Sequence, residues 1–356
     1  MTQGVSNFLS LLRFARLWKA EVPVPFLYRT FLSGFPSGQR VRNFHYVTDG
    51  DKTVDFDLGL LFKLDNFTGH PPKYTDYAPL IPYKEFVKEL QDQLWIFYVN
   101  IVYNKDQNDD HGQRRHCSIF NKYWNNPHFP GIRISCCEIN AAIPTLPDDI
   151  ATICGFKSFS SFVVIFKVWR GITHPDPNRR FRMFVPLEFL NNYTSVSPIL
   201  PHSQYVIGNA SEYINQTIGS GVDYTGVHIR TEYLEINGNS HRLNDTKCIL
   251  NAIKKANEVS LKYKINHILY FTDYTGLRNK RYVNLMASHG VKRSAYDPLL
   301  CHGVDNGAFI AQVEMKILSR ATRLVVCGGG SFQEGVVERY KERSSNPVVE
   351  IEGCTN

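Results

Sequence analysis

The most constraining feature of this chain is a regular alternation of strand-like and helix-like segments from residue 222 onward, closing on a strand that runs into three glycines. Residues 222–230 read as a strand, because β-branched Val227 and Ile229 alternate with His228 and Arg230. A helix is expected near 246–263, where Asp245 can cap and Ile249, Ile253 and Ala256 repeat at helical spacing. Ile268-Leu269-Tyr270-Phe271 reads as the next strand, ending in Thr272-Asp273. A second helix over about 308–321 carries Ile310, Val313, Ile317 and Ala321 on one stripe. The strand Leu324–Cys327 follows, then Gly328-Gly329-Gly330 and a helix opening at Ser331. A β-α-β-α-β-α order predicts a parallel, Rossmann-like sheet.

In an open α/β sheet, ligands sit outside the carboxyl ends of the strands. Arg230 ends one strand there, and a guanidinium presents a planar fork of donors that fits phosphate oxygens. A lone Arg also serves in structural ion pairs, so its company matters. Gly328–Gly330 lead into a helix start at which Ser331 and Glu334 have capping-box spacing. Glycines let backbone amides approach a ligand closely, and a helix N-terminus offers unpaired N–H groups and a positive dipole end. Such a run is a phosphate cradle or simply a tight turn. It is neither a P-loop, since no Gly-Lys-Ser/Thr follows, nor a G-x-G-x-x-G fingerprint. Asp273 ends the neighbouring strand, where a carboxylate can meet a ribose or base edge, or cap a turn. His228 shares a strand face with Arg230 and suits either a nucleotide contact or the core. Glu314 lies off the apolar stripe of its helix. Together these residues describe a pocket for a nucleotide diphosphate. This half of the chain has no D-x-D pair, which argues against a metal-dependent phosphate clamp.

Length and composition set wider bounds. With 356 residues the chain has room for about two domains, and we place the boundary near Ser195–His202, where Pro198 and Pro201 break the pattern: residues 1–197 and 198–356. Hydrophobic residues make up 43% and charged residues 21%, so a sizeable core is available. The net charge of +7 suits an anionic ligand, but no Lys/Arg block with interleaved aromatics marks a nucleic-acid surface. The eight cysteines contain no C-x-x-C and allow either disulfides or buried thiols. Five N-x-S/T sequons, at Asn66, Asn192, Asn209, Asn215 and Asn244, point toward the secretory pathway. Residues 8–18 are apolar but interrupted by Arg13 and Arg16. Phe8, Leu11, Leu12, Ala15 and Trp18 fit an amphipathic helix rather than a signal peptide. No apolar stretch is long enough to span a membrane, and 159–169 reads as a buried strand. In the N-terminal half, Val22–Tyr28 is also strand-like.

The residues also resemble those of the protein O-fucosyltransferase family, most of all the branch acting on EGF-like repeats. His228-Ile229-Arg230 resembles the family's strand ending His-Leu-Arg, and Phe271-Thr272-Asp273 its Ala-Thr-Asp. Ala311-Gln312-Val313-Glu314-Met315-Lys316-Ile317-Leu318 resembles its Ala-Gln-Val-Asp-x-x-Ile-Leu helix. Gly330-Ser331-Phe332 with Arg339 resembles its Ser-Ser-Phe and following helix with a basic end. Phe8-Leu9, Phe14-Ala15-Arg16-Leu17 and Val22-Pro23 resemble its first helix and strand. The likeness spans nearly the whole chain, specific in the C-terminal half and loose from about 60 to 200. It departs from the family at Met1–Gly4, which suggests a truncated start, at Thr231–Glu235, and at Glu314, where the family has Asp.

The resemblance implies a GT-B architecture, two Rossmann-like domains facing a cleft, the N-terminal one on the acceptor side and the C-terminal one holding GDP-fucose. It implies inverting transfer of fucose, without metal or other cofactor, to a Ser or Thr hydroxyl of folded EGF-like repeats such as those of Notch-type receptors, in the endoplasmic reticulum lumen. Arg230 would be the catalytic residue. His228, Ile229, Arg230, Asp273, Glu314, Ser331 and Phe332 would bind the nucleotide sugar. The same residues also fit a fold that binds without turnover, or a fucosyltransferase with another acceptor.

Overall fold

The computed structural model describes residues 199–230, 245–272, 280–298, 300–301, 307–351 and 354. It also describes residues 9, 12, 15–16, 21–24, 26–27, 56–69, 72–82, 85, 95–102, 133–140 and 163–168. The N-terminal elements are the short strands β1 (Val22–Pro23), β2 (Phe26–Leu27), β3 (Phe56–Asp57) and β4 (Leu80–Ile81), then the longer β5 (Trp95–Val102), β6 (Arg133–Asn140) and β7 (Val163–Val168). The C-terminal elements are α1 (Gln204–Thr217), β8 (Tyr224–Ile229), α2 (Asp245–Tyr263), β9 (His267–Thr272), α3 (Lys280–Ser288), α4 (Gly307–Ser319), β10 (Arg323–Cys327), α5 (Ser331–Arg343) and β11 (Val349–Glu350).

Both sets build parallel sheets. Strands β8 to β11 form a four-stranded sheet in the order β11-β10-β8-β9, every pair parallel. In the N-terminal half β5 is the centre of a three-stranded sheet, with β6 and β7 parallel on either side. Parallel neighbours cannot be joined by a tight turn and need a crossover, commonly helical. The chain is therefore α/β, as the alternation of segments predicts. β7 falls within the strand expected at 159–169. The strand-like stretch Val22–Tyr28 instead yields two two-residue strands. Pro23 and Pro25 supply no ladder N–H, and Val24 N–H donates to Ile81 O at 3.0 Å.

The C-terminal sheet is covered on both faces, so all of β8 is buried. Val227, Ile229, Tyr270, Val325 and Cys327 pack under α2 and α3 with Ile249, Ile253, Ala256 and Met286. On the other face Tyr224, Leu269, Phe271, Leu324 and Val326 pack with α1, α4 and α5 through Val206, Ala210, Phe309, Val313, Ile317 and Tyr340. That second core takes in N-terminal residues as well. Leu9, Leu12 and Ala15 are buried on one helical stripe and join it with Phe62, Phe67 and Tyr77. Phe8, Leu11 and Trp18 lie outside the described residues. Backbone bonds from Lys63 N to Pro201 O (2.8 Å) and from Ser203 N to Leu61 O (2.9 Å) stitch the segment to the start of α1.

A disulfide joins Cys248 in α2 to Cys354 (Cα–Cα 5.7 Å), while Cys301 and Cys327 are buried free thiols. Such a bond persists in oxidising compartments. The sequons are not equivalent. Asn215 is exposed on α1, but Asn209 is buried, its Nδ2 donating to Tyr205 O at 2.9 Å and its Oδ1 accepting Tyr296 O–H at 2.5 Å. Asn209 is thus a core residue, not a surface acceptor. No helix among the described residues is long and apolar enough to cross a membrane.

Candidate functional site

The strand order places the site. From β8 the chain first adds β9 on one side, then crosses to the other side to lay down β10. The carboxyl ends of β8 and β10 therefore flank the point where strand order reverses, the place where open α/β sheets leave a crevice. Arg230 directly follows β8, and Gly328–Gly330 directly follow β10. Arg230 N–H donates to Cys327 O at 2.9 Å, carrying the ladder one residue beyond the strand. Strand alternation puts His228 and Arg230 on the α4/α5 face and Val227 and Ile229 on the α2 face.

The glycine turn is shaped around this arginine. Gly328, Gly329 and Gly330 all have positive φ (105°, 68° and 92°), a region that L side chains rarely adopt. A Cβ on Gly328 would stand 2.9 Å from Arg230 Cβ and 3.0 Å from Arg230 O. A Cβ on Gly330 would overlap Nη1 of the guanidinium and lie 2.6 Å from Cζ. The half-buried guanidinium thus occupies the space that the missing side chain leaves, with Nη1 3.3 Å from Gly329 O. Helix α5 begins here with Gly330 as its N-cap and no side-chain cap. The capping box expected from Ser331 and Glu334 is therefore displaced. Ser331 is already the first helical residue, and Glu334 N–H donates to Gly330 O at 2.9 Å. A glycine cap leaves first-turn amides without a side-chain acceptor and keeps the positive end of the helix open beside Arg230.

Gln333 holds the turn from below, a role invisible in the sequence. It is 5% exposed. With its amide turned to satisfy both ends, Nε2 donates to Cys327 O at 3.1 Å and Oε1 accepts Gly329 N–H at 3.2 Å. His228 Nδ1 lies 3.4 Å from the same amide. His228 is 2% exposed and its ring stands 5.0 Å from that of Phe332, so it buttresses Phe332 rather than opening to the crevice. The only sequence signal for Gln333 was its position three residues past the last glycine.

The other expected site residues are dispersed or undescribed. Ile229 is fully buried against α2, so only its backbone belongs to the crevice side. Glu314 sits in α4, where Oε1 accepts Tyr296 N–H at 3.3 Å. Asp273 and the Ser331 side chain lie outside what the structure describes. A second arginine reaches the same edge: Arg293 Nη2 donates to Thr272 O, 3.4 Å, at the end of β9. Deeper in the same face, His202 Nε2 and Gln312 Oε1 are 2.9 Å apart, and the His202 ring stacks on Phe62 at 5.9 Å. Burial first, and then the nearby Arg339 charge, pull the His202 pKa down to about 3, so it is neutral at ordinary pH.

No family model matches the chain, and no curated protein matches it in sequence. Crystal structures of POFUT1 match it over nearly the whole length. A GDP complex covers 99% of this chain and 95% of its own, with a TM-score of 0.50 and 12% identity. A GDP-fucose complex covers 98% and 94%, with a TM-score of 0.51 and 13% identity. A high-resolution GDP complex gives a TM-score of 0.52 at 12% identity, with coverage of 98% and 94%. At such identity the likeness is one of fold: this chain has a GT-B-like, POFUT1-like α/β fold.

Proposed function

We propose that the protein is a GDP-fucose-dependent glycosyltransferase of the O-fucosyltransferase type. Its two Rossmann-like lobes, 1–197 and 198–356, would face one another across the donor cleft. The observation that carries the proposal is the seating of the Arg230 guanidinium in the Gly328–Gly330 turn at the switch point of the parallel sheet. Its support is a fold resembling that of POFUT1, which has been crystallised with GDP-fucose.

In this reaction the bond between fucose C1 and the β-phosphate oxygen breaks. The acceptor hydroxyl oxygen bonds to C1 from the opposite face and loses its proton, and GDP leaves. As the bond breaks, the sugar gains oxocarbenium character and negative charge grows on the β-phosphate. Arg230 and the uncapped amides of α5, from Ser331 and Phe332 onward, would receive that charge. Donors set in advance at the developing anion need no rearrangement when it forms, and one such donor is worth roughly 2.7–4 kcal/mol, or about 10²–10³ in rate. Asp273 and Glu314 would meet the nucleoside, with Phe332 held by His228 as an apolar wall. The acceptor we propose is a Ser or Thr hydroxyl of a folded EGF-like repeat, met in the endoplasmic reticulum lumen, where the Cys248–Cys354 disulfide would persist.

The direct test is GDP release from GDP-fucose with a folded EGF-like repeat as acceptor, together with mass spectrometry of the repeat. Acceptor-dependent GDP release with a deoxyhexose increment supports the proposal. Tight GDP-fucose binding with no transfer to any folded repeat refutes it.

A further inference from the structure

At the opposite edge of the C-terminal sheet, four cations gather. Lys316 and Arg320 lie one turn apart at the end of α4, and Arg339 and Arg343 one turn apart in α5. Like charges at this spacing on a helix repel and destabilise it. The fold then brings the two pairs together. Arg343 Nε and Nη2 donate to Ser319 O (3.1 Å) and Ala321 O (2.7 Å) at the end of α4. Arg320 Nη1 donates to Ser211 Oγ on α1 at 2.5 Å, and Arg339 Nη2 to Leu200 O at 2.7 Å.

We propose that Lys316, Arg320, Arg339 and Arg343 form a second anion site, built for a tetrahedral oxyanion: a phosphate or sulfate group.

Every acceptor named above is neutral. The ion pairs found among the described residues involve Lys63, Lys254 and Lys255, and none involves the four cations. Capping of the α4 carbonyls explains Arg343, and tethering to α1 and Leu200 explains Arg320 and Arg339. Lys316, a half-buried ammonium in the last turn of α4, has the helix's carbonyl end beside it but no hydrogen bond among the described residues. Its pKa is lowered by burial first and then by the fields of Arg320, Arg339 and Arg343, with Glu342 opposing, and Glu342 and Glu338 also act on Arg339. An ammonium held in that field is relieved by a bound anion. Each guanidinium has five N–H donors and spends only one or two here, and Lys316 adds three. A compact dianion with several acceptor oxygens fits that donor set. The cluster is separate from the glycine turn. Arg343 lies roughly 18 Å along the helix axis from Ser331, twelve residues at ~1.5 Å rise.

The test uses four proteins: the parent, Lys316→Gln, Lys316→Arg and Arg230→Ala. Calorimetry and thermal shift are read with inorganic phosphate, inorganic sulfate and a heparin-derived hexasaccharide, against chloride at constant ionic strength. Saturable oxyanion binding is expected in the parent, retained in Arg230→Ala and weakened at least tenfold in Lys316→Gln. Lys316→Gln loses no hydrogen bond among the described residues, so it should fold and melt close to the parent without anion, and Lys316→Arg should restore binding. Hexasaccharide binding tighter than sulfate, with the same dependence on Lys316, identifies a sulfate ester on a glycan as the source. Tighter binding of the inorganic ions identifies a free anion. The proposal falls if the parent shows no saturable response, if Lys316→Gln responds like the parent, or if only Arg230→Ala abolishes the response. The last outcome would place the anion at the glycine turn and would leave the fucosyltransferase proposal standing.

Discussion

The two edges of the C-terminal sheet both collect positive charge, by different means. At the carboxyl edge one guanidinium is set into a backbone turn whose side chains are missing, and an uncapped helix start adds its amides. At the amino edge three arginines are tethered to carbonyls and a hydroxyl, with Lys316 among them and no glycine turn. The first arrangement fixes where an anion can sit, because backbone amides cannot swing away. The second supplies charge with looser geometry, because long side chains rather than backbone carry it. Precision at a charged site thus comes from the backbone, and from the absence of side chains that would fill it.

Breaking the carboxyl edge should have the largest effect. Arg230→Ala is expected to lower the fucose-transfer rate by about 10²–10³ while leaving the melting temperature close to the parent value. Steady-state GDP release and a thermal melt check both halves of that statement, and undiminished turnover would remove Arg230 from the chemistry. Gln333→Leu should cost about 1–3 kcal/mol of stability, since Gly329 N–H loses its acceptor and Cys327 O keeps only the Arg230 N–H. GDP affinity should fall with it, measured by calorimetry on the same sample used for urea unfolding. Gly330→Ala sharpens the comparison, because the new Cβ meets only the movable end of Arg230 and the remaining cost is the positive φ. About 1–3 kcal/mol of strain is expected, because φ 92° with ψ 169° is backbone that almost only glycine adopts, with GDP affinity reduced roughly tenfold as the guanidinium is displaced. Gly328→Ala presses on Arg230 backbone instead, so its loss should appear chiefly in stability.

Near neutral pH the smallest effect belongs to His202 by the basic edge, whose contribution is lost only on acidification. His202 titrates near 3 in the folded protein, against about 6.5 unfolded. Between these values the unfolded chain binds the extra proton. Stability is therefore full above about pH 6.5 and declines as pH falls toward 3, by at most ~1.4 kcal/mol per pH unit. His202→Gln should flatten the acid limb of a urea-unfolding series. An unchanged slope would mean that the imidazole is not buried in its neutral form.

Much of the C-terminal architecture was legible in sequence, because strand and helix periods there are clean. β9 and β10 fall within a residue or two of the expected spans, and α2 within one. α4 ends two residues short, and β8 is trimmed by two residues at its start and one at its end. Helix α1 was not anticipated, although Val206, Ala210, Tyr213 and Ile214 repeat at helical spacing behind the Ser203 cap. Both of its sequons read as glycosylation acceptors, yet Asn209 turned inward to pair with Tyr296, a partner 87 residues away. The capping box failed for a related reason. Ser-x-x-Glu spacing counts positions, whereas the cap is set by where the backbone leaves the turn, and positive φ at Gly330 put that point one residue earlier.

What this sequence determined unaided is local: alternating periods that demand a parallel sheet, an arginine at one strand end, and glycines at another. Periodicity and turn chemistry act over a few residues, so they survive without knowledge of the partner. Only the tertiary structure decided which strands lie side by side, and hence that Arg230 meets Gly328–Gly330, nearly a hundred residues on. It also buried His228 under Phe332, set Gln333 beneath the turn and drew the α4 and α5 cations together. Those are choices of packing and hydrogen-bond closure between distant segments, and no local propensity encodes them.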